Sequence, residues 1–156
     1  NILKSRKITP ITSTLELANI IRKAIPGRKK KIDKATKSFQ AIRMFINDEL
    51  TELTKGLIAS EKFLTYGGIL FVVSFHSKED RVVKNFLKTC QGKTKLIMSK
   101  FFPNSENSKK SFEIITKKPI LPSNDEVKIN NKARSAKLRI AKRTEFSAIF
   151  NSEAAA

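Results

Sequence analysis

The sequence predicts an α/β fold, and three observations carry that prediction. Residues 69–75, Ile-Leu-Phe-Val-Val-Ser-Phe, form an almost unbroken apolar run, opened by Gly67-Gly68 and closed by His76-Ser77-Lys78-Glu79-Asp80. A buried parallel strand that ends at a site has this pattern. Amphipathic helical segments flank the run on both sides. A later stretch, 137–143, alternates Lys137, Arg139, Lys142 and Arg143 with Leu138, Ile140 and Ala141, as a half-buried or edge strand does. Residues 69–75 are therefore expected to form an inner strand. In open α/β sheets ligands bind outside the carboxyl ends of the strands, which makes His76 and Ser77 the first candidates for a site.

Composition bounds the partners. The chain has 156 residues, one domain's length, with 40% hydrophobic residues. At that size roughly 70% of the unfolded surface can be buried without staples. Lys and Arg number 32 against 14 Asp and Glu, a net charge of +18. Such an excess calls for a polyanion, nucleic acid first and an anionic membrane surface second, unless it is only a solvated surface. Cys90 is the single cysteine, so no internal disulfide can form, which fits a reducing compartment. No apolar run approaches the ~20 residues of a membrane helix. The first residues, Asn-Ile-Leu-Lys-Ser-Arg-Lys, lack both a signal-peptide core and a starting Met, and the chain reads as a fragment or a processed product.

In chain order, 1–11 is a basic stretch ending in Thr9-Pro10. Ser13 and Glu16 are spaced as a capping box. Leu17, Ile20, Ile21, Ala24 and Ile25 then form one helical face, which Pro26-Gly27 stops. Arg28, Lys29, Lys30 and Lys31 follow as four consecutive cations, either a solvated linker or a phosphate clamp. From 38 to 64, Phe39, Ile42, Ile46, Leu50, Leu53, Leu57 and Leu64 recur at helical spacing, which predicts one long helix with a single buried stripe. Gln40, Arg43 and Asn47 share one side of its first turns, as an ordinary polar face or as an edge toward RNA. After the strand, Ser77 and Asp80 are spaced as a second capping box, ahead of an apolar face of Val82, Val83, Phe86 and Leu87. Residues 91–111 read as a basic loop and 111–120 as a strand. Residues 124–129 read as a short helix behind Pro122-Ser123, and the tail from Phe146 as frayed.

The chemistry within reach is narrow. His76 is the only histidine, a candidate general base or RNA contact, with a plain helix N-terminus as the equal alternative. No second His and no nearby Cys would complete a metal site with it. The five glycines, Gly27, Gly56, Gly67, Gly68 and Gly92, make no G-x-G, no G-x-G-x-x-G and no P-loop. A strand followed by a Gly-rich turn, the usual cradle for a nucleotide-like cofactor, is absent from this sequence.

The stretches Ala35-Thr36-Lys37-Ser38-Phe39-Gln40-Ala41-Ile42-Arg43, Asn47-Asp48-Glu49-Leu50 and Ser74-Phe75-His76-Ser77-Lys78-Glu79-Asp80-Arg81-Val82-Val83-Lys84 resemble the RsmH/MraW family. Lys117-Lys118-Pro119-Ile120 and Ala133-Arg134-Ser135-Ala136-Lys137-Leu138-Arg139 match that family's C-terminal pattern, in the same order. The family comprises bacterial and organellar methyltransferases acting on the N4 amine of a cytidine in small-subunit ribosomal RNA. The resemblance implies a partial Rossmann-like methyltransferase sheet preceded by the end of a helical insertion. Residues 1–35 would be the end of the substrate-recognition insertion, 36–146 the C-terminal part of the methyltransferase domain and 147–156 a disordered tail. The family's S-adenosylmethionine loop, ribose contact and catalytic loop lie upstream of the matching region. The chain departs from the family at Lys78 for Leu, at Lys34 for Pro and at Asn131-Lys132 for Pro-Arg. Loosened loops are expected where prolines are lost.

The expected function is thus S-adenosylmethionine-dependent N4-methylation of a small-subunit rRNA cytidine, this chain being the part without the donor loop and inactive alone. The alternative is a non-catalytic RNA-binding or ribosome-associated remnant. His76, Ser77 and Arg81 are the pocket candidates. Arg28, Lys29, Lys30, Lys31, Gln40, Arg43, Asn47, Lys117, Lys118 and Arg134 are the RNA-binding candidates. The expected partners are the small ribosomal subunit or its RNA and a separate N-terminal half, with no membrane. The expected location is bacterial cytoplasm or an organellar matrix. Half of a doubly wound sheet would also expose an edge and an uncovered face.

Overall fold

The computed structural model describes residues 1–27, 33–92 and 110–150. The chain divides into two units, Asn1–Glu49 and Leu50–Ala156. The four-cation run 28–31 and most of the 91–111 loop lie outside the described residues.

In the first unit the basic start of the chain forms a helix, α1 (Ile2–Ile8), where only a basic stretch was expected. It stops at Thr9, extended at φ −143° and ψ 136°, because Pro10 disfavours helical backbone in the residue before it. Helix α2 (Thr14–Ala24) begins at the expected cap: Ser13 Oγ accepts the Glu16 amide at 3.1 Å. Glu16 Oε2 reaches one residue further back than expected, to the Thr12 amide at 3.1 Å. The α2 face is buried at Ala18 and Ile21, together with Ala35, and Ile2, Leu17 and Phe39 pack around them. Helix α1 and the start of α3 (Thr36–Ile46) thus supply the cover that α2 alone lacks.

Two contacts fix the turn that leads into α3. Asp33 accepts Arg22 Nε at 3.0 Å and its terminal nitrogen at 2.7 Å, and also takes the Ala35 amide at 2.8 Å. The Arg22 hydrogen bond, helped by that amide, holds the Asp33 carboxyl below the ordinary aspartate value. Lys34 Nζ donates to the carbonyls of Ile25 at 2.8 Å and Gly27 at 2.6 Å, which satisfies groups left open at the end of α2. At this position, where the resemblance implies a lost proline, Lys34 makes two hydrogen bonds back to the end of α2.

The predicted 38–64 helix is two helices. Helix α3 ends at Ile46, Asn47 caps it, and Asp48 takes a left-handed conformation at φ 47° before α4 (Glu49–Phe63) begins. Asp tolerates that region better than most residues, so Asn47-Asp48 breaks the helix without glycine or proline. The apolar stripe divides with it. Phe45 and Ile46 are exposed, while Leu57 is buried and Leu50, Leu53, Ile58 and Leu64 are partly buried.

The second unit is α4 and α5 (Ser77–Cys90) packed with a three-stranded sheet. The strands are β1 (Ile69–Ser74), β2 (Phe112–Ile114) and β3 (Lys137–Arg143), in the order β1-β3-β2. Strand β3 runs antiparallel to both neighbours, with Ile69 opposite Lys142, Ser74 opposite Lys137 and Phe112 opposite Arg143. Strands β1 and β2 therefore point the same way, linked through α5, with the reversed last strand inserted between them. This mixed architecture fits a methyltransferase fold.

Two expectations about strands are corrected. Strand β1 is an edge strand among the described residues and not an inner one: Leu70, Val72 and Ser74 face the covered side, whereas Phe71 and Val73 are 62% and 55% exposed. The 111–120 strand is only three residues long, followed by one bridge, Ile120 to Leu138. Thr116 interrupts it, since the amides of Ile115 and Thr116 both donate to Ile140 O while Thr116 Oγ1 accepts the Ile140 amide at 2.9 Å.

The core lies between α4, α5 and the inner sheet face. Val82, Val83, Phe86, Leu87 and Cys90 of α5 meet Leu57, Phe112 and Ala141. Each of the larger side chains contributes about 1.5–3 kcal/mol by leaving water. Ile149 and Phe150 are also buried here, with Phe150 stacked on Phe86 at 5.6 Å. The frayed tail is corrected for residues 147–150: an apolar pair with buried amide partners is held, not loose. Residues 151–156 lie outside the described residues.

Candidate functional site

The antiparallel pairing of β3 with β1 sets the start of one strand beside the end of the other. The carboxyl end of β1 and the amino end of β3 lie together, with Ser74 opposite Lys137, whereas β2 ends opposite Ala141, nearer the other end of β3. His76, Ser77 and Arg81 stand just past β1, in the first turn of α5 or before it. Lys117 and Lys118 stand past β2, both exposed. Arg134, exposed, lies in a short 3₁₀ turn (Asn131–Ser135) that feeds β3. His76, Ser77, Arg81 and Arg134 thus flank the paired ends of β1 and β3, while Lys117 and Lys118 lie on the segment that runs alongside β3 between β2 and the Ile120–Leu138 bridge.

His76 is the N-cap of α5, extended at φ −141° and ψ 160°. Its Nδ1 accepts the Glu79 amide at 3.2 Å. Glu79 Oε2 in turn accepts the amides of Phe75 at 2.8 Å and His76 at 3.2 Å, and Glu79 Oε1 lies 3.2 Å from His76 Nε2. The expected Ser77–Asp80 capping box is therefore one residue late: the box is His76 with Glu79. The spacing was legible, but His is not among the usual capping residues. Because Nδ1 accepts, the lone pair at that nitrogen is already engaged, and the ring is locked at the strand end.

Asp80, set free from capping, holds β3. Arg139 Nε donates to Asp80 Oδ1 at 2.7 Å and a terminal guanidinium nitrogen to Oδ2 at 3.2 Å, while Lys137 Nζ is 3.7 Å away. Burial pushes the Asp80 carboxyl up, but the Arg139 hydrogen bonds and charge, with Lys137, outweigh it and leave it below the ordinary value. Helix α5 is thus tied to the strand that brings Arg134 to the site.

The other candidates are differently placed. Gln40 lies on α3. Arg43 Nε pairs with Glu49 at 2.7 Å and Asn47 Nδ2 donates to the same carboxylate at 3.4 Å, so Glu49 takes up much of their polarity. Arg28, Lys29, Lys30 and Lys31 lie outside the described residues.

Sequence reasoning missed the most buried polar cluster. Glu61, at 0% exposure, accepts the Ile149 amide at 2.9 Å, the Phe150 amide at 3.3 Å and the Ser111 hydroxyl. Arg143 donates to the carbonyls of Glu61 at 2.9 Å, Ser111 at 2.8 Å and Phe146 at 2.6 Å. Burial, with the Glu61 charge added, pushes the Cys90 thiol well above its ordinary value, which makes it a poor nucleophile. A lone Glu in an amphipathic helix gives no sequence signal of such a role.

Comparison with known proteins agrees with these features. A family model described as the MraW methylase family matches residues 1–144. The chain is 48% identical over 148 residues to "Ribosomal RNA small subunit methyltransferase H" of Nitrobacter winogradskyi, covering 95% of this chain and 44% of that protein. It is 50% identical over 145 residues to the protein of the same name in Rickettsia typhi, covering 92% and 47%. With the Caulobacter sp. protein of that name the identity is 46% over 144 residues, covering 92% and 45%. The chain therefore spans somewhat less than half the length of these relatives.

Proposed function

The chain belongs to the MraW methylase family, and from that premise we propose that it forms the C-terminal part of a methyltransferase acting on small-subunit ribosomal RNA. The reaction is S-adenosylmethionine-dependent methylation of a cytidine N4 amine. The observation that carries this reading is the match of residues 1–144 to the MraW methylase family, together with 48–50% identity to relatives that bear a small-subunit rRNA methyltransferase name. Support comes from His76, Ser77, Arg81 and Arg134 beside the paired ends of β1 and β3 and from the net charge of +18.

S-adenosylmethionine supplies an electrophilic methyl group when bound. Among the described residues there is no glycine-rich turn after a strand to cradle it. Gly67-Gly68 is the glycine pair beside a strand, and it lies at the amino end of β1, opposite the candidate site. A Cβ at Gly68 would meet Thr65 O at 3.0 Å, so that glycine serves the turn itself. The donor is therefore assigned to polypeptide beyond this chain.

The cytosine amine is a weak nucleophile, since its lone pair is delocalised into the ring, so positioning is the main task. His76, held by Glu79, walls the pocket. Ser77 and Arg81, both exposed in the first two turns of α5, face the incoming nucleotide. Lys117, Lys118 and Arg134 take backbone phosphates. Each phosphate contact lowers the slope of log K against log salt by about 0.7–0.9. Gln40, Arg43 and Asn47 orient RNA from the first unit, and 28–31 adds phosphate contacts. The compartment is that of the small subunit, bacterial cytoplasm. No helix among the described residues is long and apolar enough to cross a membrane.

The test is reconstitution. The chain, alone or with the unmatched portion of the Rickettsia typhi relative, is incubated with small subunits and labelled S-adenosylmethionine, and N4-methylcytidine is read by nucleoside mass spectrometry. Product is expected only with both pieces. Product from the chain alone would contradict the assignment of the donor to other polypeptide, and RNA binding without product in either case would favour the non-catalytic remnant. His76→Asn separates roles at that position: Asn preserves the cap, so unchanged product formation limits His76 to holding the strand end.

A further inference from the structure

Where β1 ends and β3 begins, an apolar groove of about 200 Å³ opens beside the sheet. Val73 and Leu138, register partners across the two strands, line it with Ile120, Leu121 and Ala136. Ile120 is fixed against Leu138 by two backbone hydrogen bonds, each of 2.9 Å. Glu126 is the one charged group among the lining residues.

Glu126 is placed there by its own helix. It lies in the first turn of α6 (Asn124–Ile129), where Ser123 Oγ accepts its amide at 3.1 Å. Its neighbour Asp125 is taken up by Lys128 Nζ at 2.7 Å. The Glu126 carboxylate has no hydrogen-bond or ion-pair partner among the described residues. An ionised carboxylate only accepts hydrogen bonds. Set beside apolar side chains, it selects a ligand with a largely apolar body that also offers N–H donors.

Cations narrow the choice further. Lys117 and Lys118 are exposed just before the 120–122 segment, and Lys132 and Arg134 are exposed just before Ala136. Both stretches of chain that line the groove are thus entered through positive charge, which suits a phosphate backbone. An amine-bearing, mostly apolar body with phosphates outside it is a nucleotide. Of the two RNA pyrimidines, cytosine presents a donor amine at N4 where uracil presents an acceptor, and a carboxylate is the side chain that accepts from that amine. Bases taken out of a stack are read in this manner, between apolar side chains and by hydrogen bonds to the Watson–Crick edge.

We infer that the Val73–Leu138 groove receives an unstacked cytosine base of RNA, with Glu126 accepting from its N4 amine and Lys117, Lys118 and Arg134 holding the neighbouring phosphates. The inference rests on the rRNA-methyltransferase reading for its choice of RNA, and it adds the residue that tells cytosine from uracil.

The test reads binding of the intact chain to short RNA, with no methyl donor and no added polypeptide, so it can fail while reconstituted methylation succeeds, and the reverse. The probes are a uridine pentamer and the same pentamer with one central cytidine. Affinity is followed by fluorescence anisotropy, and the Val73 and Leu138 methyl groups by NMR. The cytidine probe is expected to bind about fivefold tighter or more, the lower end of what one good base contact supplies, and to shift both sets of methyls. Glu126→Gln, whose amide can accept from cytosine or donate to uracil, is expected to bring the two affinities together. Glu126 is exposed, so the fold is expected to persist in that variant. Lys118→Ala should weaken both probes equally. No binding of either probe, equal affinity of the parent chain for the two, discrimination that survives Glu126→Gln, or binding that leaves the Val73 and Leu138 methyls unmoved would overturn the inference.

Discussion

On the side of the sheet toward α5, Phe86 and Phe112 have no exposed surface, and a buried carboxylate, Glu61, has hydrogen-bond partners for both oxygens. On the other side Phe71 and Val73 stand more than half exposed, and the backbone groups beside them point at no described strand. Both sides are built from similar apolar residues on the same strands. The difference lies in what the chain supplies to cover them. For the inner side it brings two helices and a returning C-terminal segment; for the outer side the segment around Ile120–Pro122, with Glu126 and Ala136, lines a groove beside Val73. Burial among the described residues of this unit is thus concentrated on one face of the sheet.

Four substitutions test that contrast, from the strongest effect to the weakest. Phe86→Ala is expected to cost about 3–5 kcal/mol, because it empties a site packed by Phe112 and Phe150. Urea unfolding would show it as a lower midpoint at constant slope. Glu61→Gln, which turns an acceptor-only group into one with two donors facing the Ile149 and Phe150 amides, is expected to cost about 1–3 kcal/mol. It should also speed exchange at those two amides ahead of the rest of the core. If the tail amides are no faster than in the parent chain, Glu61 is not what holds the C-terminal segment.

Asp80→Asn comes third, with a pH signature. The folded Asp80 carboxyl titrates below its unfolded value of about 3.9. Its stabilisation is therefore present above about pH 4 and lost as pH falls through the folded pKa. The variant should be less stable at pH 7 by about 1–3 kcal/mol, the range for hydrogen bonds to charged groups, and the gap should close in acid. A gap unchanged down to pH 3 would assign the effect to packing. Phe71→Ser is the smallest, within about 0.5 kcal/mol, since it removes a ring that is already in water. A loss of several kcal/mol there would mean that the outer face is covered in the isolated chain, and the contrast would fail.

Much of this could be read from residues alone. Ser13 and Glu16 announced the start of α2, and Pro26-Gly27 its end. The 69–75 run gave β1, and the 82–87 pattern gave the buried face of α5. The alternation at 137–143 gave β3. The family resemblance rested on motifs that the comparisons bear out. The break at Asn47-Asp48 was hidden, because the apolar spacing runs through it and the interruption depends on one left-handed residue. The capping box was misplaced by one residue because His76, not Ser77, turns its side chain back onto the helix. Helix α1 went unseen since a short basic segment has little periodicity to read. At the candidate site, residue types were legible, but the nearness of the turn before β3 to the end of β1 was not, because it follows from β3 pairing antiparallel with β1.

The sequence by itself determined the local elements, the basic character of the surface and the family, since propensity, periodicity and charge act over a few residues and survive without context. Tertiary structure decided which face of β1 is closed, that Glu61 belongs to the interior and that the tail returns to it. Those outcomes depend on partners up to 89 residues apart, such as Glu61 and Phe150. Burial of a polar group is settled by whether distant donors arrive to satisfy it, and no local pattern records that.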